Sequence, residues 1–246
     1  MNQFQRTKLL LGNEAMERLE HSRVIVFGVG GVGGYVVEVL ARSGVGMLAL
    51  VDNDRVSLTN LNRQIIALHS TLDRLKVDVF EERIHDINPA CKVEKYPMFY
   101  LPENASDIDL SHYDYVVDCI DTVKAKLELV RRCHRLNIPI ISSMGAANKL
   151  NPTAFRVADI SKTCMDPLAK VMRTTLRREG IQHLKVVFSD EPPLQPVIDD
   201  EETKKEAEAL AANGRRSLPA SCAFVPAAAG LVIGSEVVKD LIVQHW

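Results

Sequence analysis

Four glycines in the stretch VIVFGVGGVGGYVVEVLARSG have the arrangement of a phosphate-binding turn. Gly28, Gly30 and Gly33 fit the pattern GxGxxG, directly after a strand-like run and at the start of a helical pattern, with Gly31 between them. Such a turn lets the backbone approach phosphates, and the N-terminus of the following helix favours negative charge. The pattern therefore predicts a nucleotide site rather than an empty tight turn.

The acidic residue that such sites place near a ribose follows in the next predicted strand. Asp52, in LVDNDRV, stands about twenty residues beyond the glycine turn, where a carboxylate can accept a hydrogen bond from a ribose hydroxyl. We expect Asp54 of the same segment to belong to the site as well. Taken alone, the glycines and Asp52 favour a nicotinamide dinucleotide and hence a dehydrogenase.

The polar residues beyond Asp52 favour ATP instead. Arg63 offers a planar fork of donors and Lys76 a point charge, and both can neutralise the charge that builds when an α-phosphorus is attacked. Asn60 and Gln64, in SLTNLNRQ, add further polar groups. This is more phosphate-binding capacity than a dinucleotide pocket needs, so the sequence predicts a triphosphate.

Two aspartates provide candidate ligands for a metal ion. Asp118 and Asp121, in VVDCIDT, come at the end of a predicted strand, where open α/β sheets bind their ligands. Magnesium in such sites is held by one or two carboxylates together with the substrate's phosphates. The sequence therefore predicts ATP with Mg²⁺ at this edge of the sheet.

The elements that position these residues form an α/β pattern. Strand-like runs alternate with helical patterns, which predicts a Rossmann-like, doubly wound, mostly parallel sheet followed by a C-terminal α+β elaboration. The predicted strands of the first part are residues 23–27, 47–51, 92–96, 115–118 and 138–142, and its predicted helices are residues 32–43, 72–88 and 123–136.

The rhythm changes after Pro152. We expect residues 1–150 to form the ATP-binding core and residues 151–246 to form an elaboration packed on the same domain. Within it, AFRVAD and LKVVFS are typical of strands, and MDPLAKVMRTTLRREG is typical of an amphipathic helix. Residues 190–216 carry prolines, the acidic cluster DDEE and an alanine-rich stretch, which predicts a mobile loop with a short helix.

Composition restricts the class of protein. The chain has 246 residues, a formal net charge of -2 and five cysteines without a CxxC pair, so we expect reduced thiols in a cytoplasmic protein. The first residues lack an export signal, and no apolar run reaches membrane-spanning length. The balanced charge gives no global attraction to nucleic acid, so any RNA contact must use a local basic patch.

One segment is a candidate for that patch. Its cations are Lys162, Lys170, Arg173, Arg177, Arg178 and Lys185, with few acidic residues between them. A solvated amphipathic helix explains the same pattern equally simply. Arg131, Arg132 and Arg135 form a weaker candidate on another predicted helix.

Several motifs in order resemble the adenylation domain of the ubiquitin-activating-enzyme-like superfamily, whose bacterial members activate carboxylates as acyl-adenylates. They are GVGGVG, LVDNDRVSLTNLNRQ, Lys76 and DCIDT, and the resemblance extends from about Phe4 to Ser143. It implies the following roles: Asp52 on the ribose, Asn60, Arg63 and Lys76 on the phosphates, and Asp121 on Mg²⁺. FQRTKLLLG resembles the superfamily's N-terminal arginine segment, which implies a homodimer with Arg6 reaching into the partner's phosphate site.

The second half of the chain distinguishes between branches of that superfamily. Members that activate ubiquitin-like sulfur carriers commonly hold zinc with two CxxC pairs, and none exists here, so no zinc is expected. SSMGAANKLNPTAFRVADISKTCMDPLAKVMR and VVFSDEPPLQP resemble instead the tRNA threonylcarbamoyladenosine dehydratase branch. That resemblance implies an enzyme that adenylates the threonyl carboxylate on tRNA and closes a ring with loss of AMP.

Two other functions stay open at this point. One is adenylation of the C-terminal glycine of a ubiquitin-like sulfur-carrier protein, and the other is a non-enzymatic, ATP-gated scaffold. The resemblance also leaves open whether a sulfur-relay or cysteine-desulfurase-associated protein docks. Cys222, in SLPASCAFVPAAAG, could accept the acyl group as a thiol nucleophile, or could be a small packed residue, since cyclisation can proceed directly from the adenylate.

Overall fold

A seven-stranded sheet forms the centre of the computed structural model, which describes residues 2–212 and 218–243. The strands are β1 (Arg23–Phe27), β2 (Met47–Val51), β3 (Lys92–Tyr96), β4 (Tyr115–Asp118), β5 (Ile140–Ser143), β6 (Phe155–Asp159) and β7 (Lys185–Ser189). Their order in the sheet is β3-β2-β1-β4-β5-β7-β6. All neighbouring strands are parallel except β6, which runs antiparallel to β7.

This order makes the sheet doubly wound. From β1 the chain first builds outward through β2 to β3, and it then returns to the other side of β1 to add β4, β5 and β7. The direction of winding reverses between β1 and β4, and ligands of open α/β sheets bind outside the carboxyl ends of the strands at such a point. The predicted Rossmann-like α/β fold is therefore confirmed.

Helices cover both faces of the sheet. They are α1 (Gln5–Leu11), α2 (Asn13–His21), α3 (Gly33–Ser43), α4 (Lys76–Ile87), α5 (Val123–Leu136), α6 (Pro167–Arg178), α7 (Glu201–Ala212) and α8 (Phe224–Val243). Side chains alternate along each strand, so Val24 and Val26 pack with α3, α4 and α8, whereas Ile25 and Phe27 pack with α5. No described helix is long and apolar enough to cross a bilayer.

Some predicted boundaries were wrong. Strand β5 begins at Ile140 rather than at residue 138, and Pro139, which has no backbone N–H, precedes it. Helix α4 begins at Lys76 rather than at residue 72, because the preceding residues form loop structure in which Arg55 pairs with Leu75. Of the predicted loop at residues 190–216, the structure describes helix α7 and the chain before it, and residues 213–216 lie outside the described residues.

Candidate nucleotide-binding site

The glycine turn joins β1 to α3, and two of its glycines are required by close backbone contacts. A Cβ on Gly33 would lie 1.8 Å from the carbonyl oxygen of Gly28. Gly28 itself has a φ of +81°, and a Cβ at this position would lie only 2.8 Å from the carbonyl oxygen of Cys119. At Gly30 and Gly31, in contrast, the nearest atoms would be at 3.6 and 3.4 Å, which is ordinary contact distance. The first pair shapes the turn, and the second pair borders an open space in front of it.

That open space is a cleft of about 580 Å³ at the carboxyl ends of the strands. Its volume is in the range of small-molecule sites, about 300 to 1,000 Å³. Of the residues predicted from sequence, the following line it: Gly28, Gly30, Gly31, Asp52, Asp54, Arg63, Gln64, Lys76 and Asp121. The structure thus brings together most of the predicted nucleotide-binding residues, although they are spread over more than ninety positions of the chain.

Asp52 follows directly after β2 and ties the glycine turn to that strand. Its Oδ2 accepts a hydrogen bond from the backbone N–H of Val29 at 2.9 Å, and its Oδ1 accepts one from the backbone N–H of Asp54 at 2.9 Å. Burial raises the pKa of this carboxyl, and the nearby ammonium group of Lys76 acts in the opposite direction. Asp52 therefore fixes the position of the turn and still faces the cleft.

Lys76 is the first residue of α4 and its side chain is almost fully buried, with 4% exposure. Its Nζ donates to Asp54 Oδ2 at 2.7 Å, and the Asp54 side chain is 59% exposed. The ammonium group of Lys76 therefore lies in one wall of the cleft, and its charge is balanced by the solvent-exposed carboxylate of Asp54.

Arg63 and Gln64 follow a short 3-10 helix, Leu58–Asn60. Arg63 Nη1 donates to the carbonyl oxygen of Thr59 and to Asn62 Oδ1, both at 2.8 Å, which holds the guanidinium group at the edge of the cleft. Gln64 is 7% exposed, and its Oε1 is the one buried side-chain oxygen or nitrogen without a hydrogen-bond partner among the described residues. A buried polar atom without a partner is costly, so this amide fits a site that a polar ligand completes.

The two predicted metal ligands have different environments. Asp121 is exposed, lies after the end of β4 and lines the cleft. Asp118, the last residue of β4, is fully buried: its Oδ2 accepts from Ser142 Oγ at 2.5 Å and lies 3.0 Å from Lys126 Nζ. Asp118 was predicted to contact the nucleotide, but the structure does not place it in the cleft lining, because this carboxylate is enclosed in the core by α5.

Four further predicted residues lie outside the cleft lining. Gly33 acts only through the turn, and Asn60 is buried with its Oδ1 accepting from the backbone N–H of Ser57 at 3.3 Å. Arg6 is exposed on α1, away from the cleft of its own chain. Cys222 is partly buried, two residues before α8 begins, beside Ser221, which does line the cleft.

The loop that follows β5 is part of the site and was missed from sequence. Its residues 144–147, together with Ser143 at the end of β5, line the cleft next to Asp121. Asp166 holds this loop, accepting from the backbone N–H of Gly145 at 2.9 Å with one oxygen and capping α6 through Ala169 with the other. Burial raises the pKa of Asp166. The only available signal was position, since a loop after a parallel strand next to the switch point faces the ligand.

On the opposite rim, residues 98–100 also line the cleft. Tyr100 is buried, packs edge-on against Phe27 with 4.8 Å between ring centroids, and accepts a hydrogen bond from Arg132 Nη1. Among the residues that the structure describes, no three histidine, cysteine or acidic side chains are grouped closely enough to hold a metal ion by themselves.

A glycine turn at the switch point of a doubly wound sheet, with an acid, a lysine and an arginine around one cleft, defines a nucleotide-binding α/β protein. Residues 4–245 match the ThiF family, and the chain belongs to that family. It is 49% identical over 245 residues to tRNA threonylcarbamoyladenosine dehydratase of Bacillus subtilis, a match that covers 98% of this chain and 95% of the relative.

Solved structures agree with the sequence comparison. The chain is similar to Escherichia coli tRNA N6-threonylcarbamoyladenosine dehydratase, TcdA, in complex with AMP, with a TM-score of 0.85 and 33% identity over 98% of this chain and 94% of the other. The complex of the same E. coli enzyme with ATP gives a TM-score of 0.83, again at 33% identity, over 98% and 93% of the two chains.

Proposed function

We propose that this chain uses ATP to cyclise threonylcarbamoyladenosine in tRNA, with loss of water, through adenylation of the threonyl carboxylate. The observation that carries the proposal is one cleft in which the glycine turn, Arg63, Lys76 and Asp121 meet, in a chain similar over nearly its whole length to enzymes named for that reaction. The sulfur-carrier alternative has less support, because the similarity to the dehydratases includes the second half of the chain.

The proposed chemistry needs two steps. The threonyl carboxylate attacks the α-phosphorus of ATP, which forms an acyl-adenylate and releases pyrophosphate. The carbamoyl group then attacks the acyl carbon and gives up one N–H proton, which closes the ring and releases AMP. One carboxylate oxygen leaves with AMP, and together with the carboxyl proton and the N–H proton this makes the nucleoside lighter by one water. Both steps depend on correct positioning and on stabilising negative charge rather than on many protein nucleophiles.

The cleft residues fit these requirements. We assign Lys76 and Arg63 to the phosphates, where they stabilise charge as the α-phosphorus is attacked. Asp52 is assigned to the ribose, since its carboxylate faces the cleft at the end of β2. Asp121 is assigned to Mg²⁺, because a single exposed carboxylate suits an ion that takes its remaining ligands from phosphates and water.

The reaction is tested with purified tRNA that carries threonylcarbamoyladenosine. We expect ATP to be converted to AMP and pyrophosphate and the recovered nucleoside to lose one water by mass spectrometry. Arg63→Gln and Lys76→Gln should each lower the rate by about 10²- to 10³-fold. Arg74→Gln is the matched control, since Arg74 lies close by in sequence but pairs with Glu82 on the surface. Stimulation by unmodified tRNA or by a diglycine-ended protein alone would contradict the proposal.

Cys222 separates two versions of the second step. If the ring closes directly from the acyl-adenylate, as proposed, Cys222→Ala should give a yield of cyclised nucleoside similar to that of the parent. AMP release without cyclisation in this variant would mean that the thiol first accepts the acyl group. Ser221→Ala is a suitable control, because Ser221 lies on the same segment and contributes its backbone oxygen to Asn62 Nδ2.

We further propose a homodimer in which Arg6 of one protomer completes the phosphate site of the other. Its exposed position on α1, outside the cleft of its own chain, and the exposed neighbours Leu9 and Leu10 support this arrangement. Mixing Arg6→Ala subunits with Asp121→Ala subunits should restore part of the activity, because one of the mixed sites then has both residues. No recovery at any ratio would refute a shared site.

A separate expectation concerns metal content. Elemental analysis of the purified protein should find no stoichiometric zinc.

A further inference from the structure

The outer face of α6 is a strongly basic surface that the nucleotide site does not use. The helix carries four basic and no acidic residues. Ala169, Met172 and Leu176 are buried against the sheet, and the opposite side of the helix presents the following residues, here called the α6 stripe: Lys170, Thr174, Arg177 and Arg178. At 3.6 residues per turn these four side chains lie on one face of the helix.

The cations of the α6 stripe have no acidic partner among the described residues, whereas two of the other basic residues of the segment are engaged. Arg173 Nη1 donates to the carbonyl oxygen of Thr163 at 2.9 Å. Lys185 Nζ donates to Asp240 at 2.8 Å and lies 2.8 Å from Glu236. Of the basic residues in the segment predicted from sequence, the cations of the α6 stripe and Lys162 are therefore the ones left to bind a partner.

The three arginines of the neighbouring helix α5 are likewise engaged. Arg131 forms two hydrogen bonds with Glu179, at 2.6 and 2.8 Å, and Arg135 lies 3.7 Å from Glu128. Arg132 points inward and donates to the carbonyl oxygen of Ile108 at 2.6 Å. The weaker basic candidate on α5 thus has its charges satisfied by the protein itself.

The first turn of α6 borders the cleft, and the α6 stripe starts on the other side of the same end of the helix. Leu168, in the first turn of α6, lines the cleft, and Asp166 connects the same end of the helix to Gly145 of the cleft loop. Lys170 follows Leu168 by two residues, and Arg177 lies about 10 Å farther along the axis at 1.5 Å per residue. A chain of phosphates that enters the cleft at one end could therefore continue along the stripe.

We propose that the α6 stripe binds the sugar-phosphate backbone of tRNA while the modified nucleoside occupies the cleft. This inference rests on the proposed function. Lysine and arginine side chains that are exposed and unpaired bind phosphates without reading sequence. None of the stripe residues is aromatic, so the surface offers charge rather than base stacking. A protein with a net charge of -2 has to concentrate its attraction for RNA in such a local patch.

The test compares two double variants that remove equal charge. Lys170→Gln/Arg177→Gln removes two cations of the stripe, and Arg42→Gln/Lys92→Gln removes two exposed cations of α3 and of the edge strand β3, away from β7, on which α6 packs. The logarithm of the association constant falls linearly with the logarithm of the salt concentration, and each phosphate contact on a flexible strand contributes about 0.7 to the steepness of that slope. Loss of two contacts therefore corresponds to about 25-fold weaker binding at about 0.1 M salt. We expect this change in the tRNA dissociation constant and in KM for the stripe variant only.

A second pair of variants leaves all four basic residues of α6 in place. Thr174 is exposed in the middle of the stripe, and its hydroxyl donates to the carbonyl oxygen of Lys170 in its own helix. Thr174→Glu should weaken tRNA binding severalfold with a clear salt dependence, because it places a negative charge beside the RNA phosphates. Thr174→Gln, of equal size and without charge, should bind like the parent. ATP binding by calorimetry should be unchanged in every variant.

The outcomes distinguish this inference from the proposed function. If the parent protein forms AMP with modified tRNA but the stripe variants keep its dissociation constant, KM and salt slope, the stripe is a solvated face and the inference is wrong. If the parent converts no tRNA at all, the proposed function itself fails. Equal losses in the stripe and control double variants would also overturn the inference, since they would show a nonspecific effect of net charge.

Discussion

Replacing Lys126 by methionine should destabilise the whole domain, although this residue never reaches the cleft. Lys126 and Asp118 have fully buried side chains with 3.0 Å between Nζ and Oδ2. At that distance two unit charges attract by about 5.5 kcal/mol for an effective dielectric constant of about 20. Methionine keeps most of the volume but leaves the Asp118 carboxylate buried without a cation, which typically costs about 3 to 5 kcal/mol.

The same substitution should also affect the cleft. Lys126 Nζ donates to the carbonyl oxygen of Ile120 at 3.0 Å, and Ile120 lies directly before Asp121 at the cleft. Loss of this hydrogen bond frees the segment after β4. We therefore expect weaker ATP binding in Lys126→Met, measured by calorimetry under conditions in which the variant is still folded.

Urea unfolding followed by circular dichroism measures the stability change, at one fixed protein concentration because association alters apparent stability. Lys124→Met is the matched control: Lys124 is exposed on the same helix, and its loss should change the free energy of unfolding by less than about 0.5 kcal/mol. The double variant Asp118→Asn/Lys126→Met should recover about 2 kcal/mol of the loss, since it buries no unpaired charge. A loss below about 1 kcal/mol in Lys126→Met, or no recovery in the double variant, would refute the reasoning.

Three more predictions follow from burial and charge. Burial alone would raise the pKa of Glu38, but hydrogen bonds from Arg83 and Arg42 lower this pKa below 4.5, so Glu38→Gln should be less stable than the parent at pH 7. Unfolding at several pH values should show that this difference in stability shrinks as the pH falls below about 4.5 and vanishes below the folded pKa. Burial raises the pKa of Cys91 to about 11, which leaves about one part in a thousand as thiolate at pH 8, so mass spectrometry should find the exposed Cys164 alkylated long before Cys91. Removing Mg²⁺ with a chelator should abolish AMP formation, and Asp121→Asn should raise the Mg²⁺ concentration needed for half-maximal rate, whereas an unchanged requirement would argue against Asp121 as the metal ligand.

Sequence patterns predicted the fold well because the central strands are short, apolar and bounded by turns. Strands β1, β2 and β4 have the predicted bounds, and their central residues are buried from both sides. The loop after β5 could not be predicted as part of the site, because its residues Met144 to Ala147 carry no charge and give no chemical signal. Its role depends on where β5 lies in the sheet, and strand order is a long-range property that local patterns do not contain.

Asp118 and Asp121 illustrate the remaining difficulty. Both are acidic, both follow the same apolar run, and spacing alone treats them alike. Asp118 is still part of the strand, so its side chain must point to one face of the sheet, and that face is covered by α5. Asp121 comes after the ladder has ended, so its side chain is free of that alternation and reaches the cleft. A carboxylate up to the last paired residue of the strand is therefore held in the core, where it stabilises the loops that support the site, whereas a carboxylate beyond that residue can contact a ligand. The position of the last paired residue is set by hydrogen bonding between strands rather than by residue type.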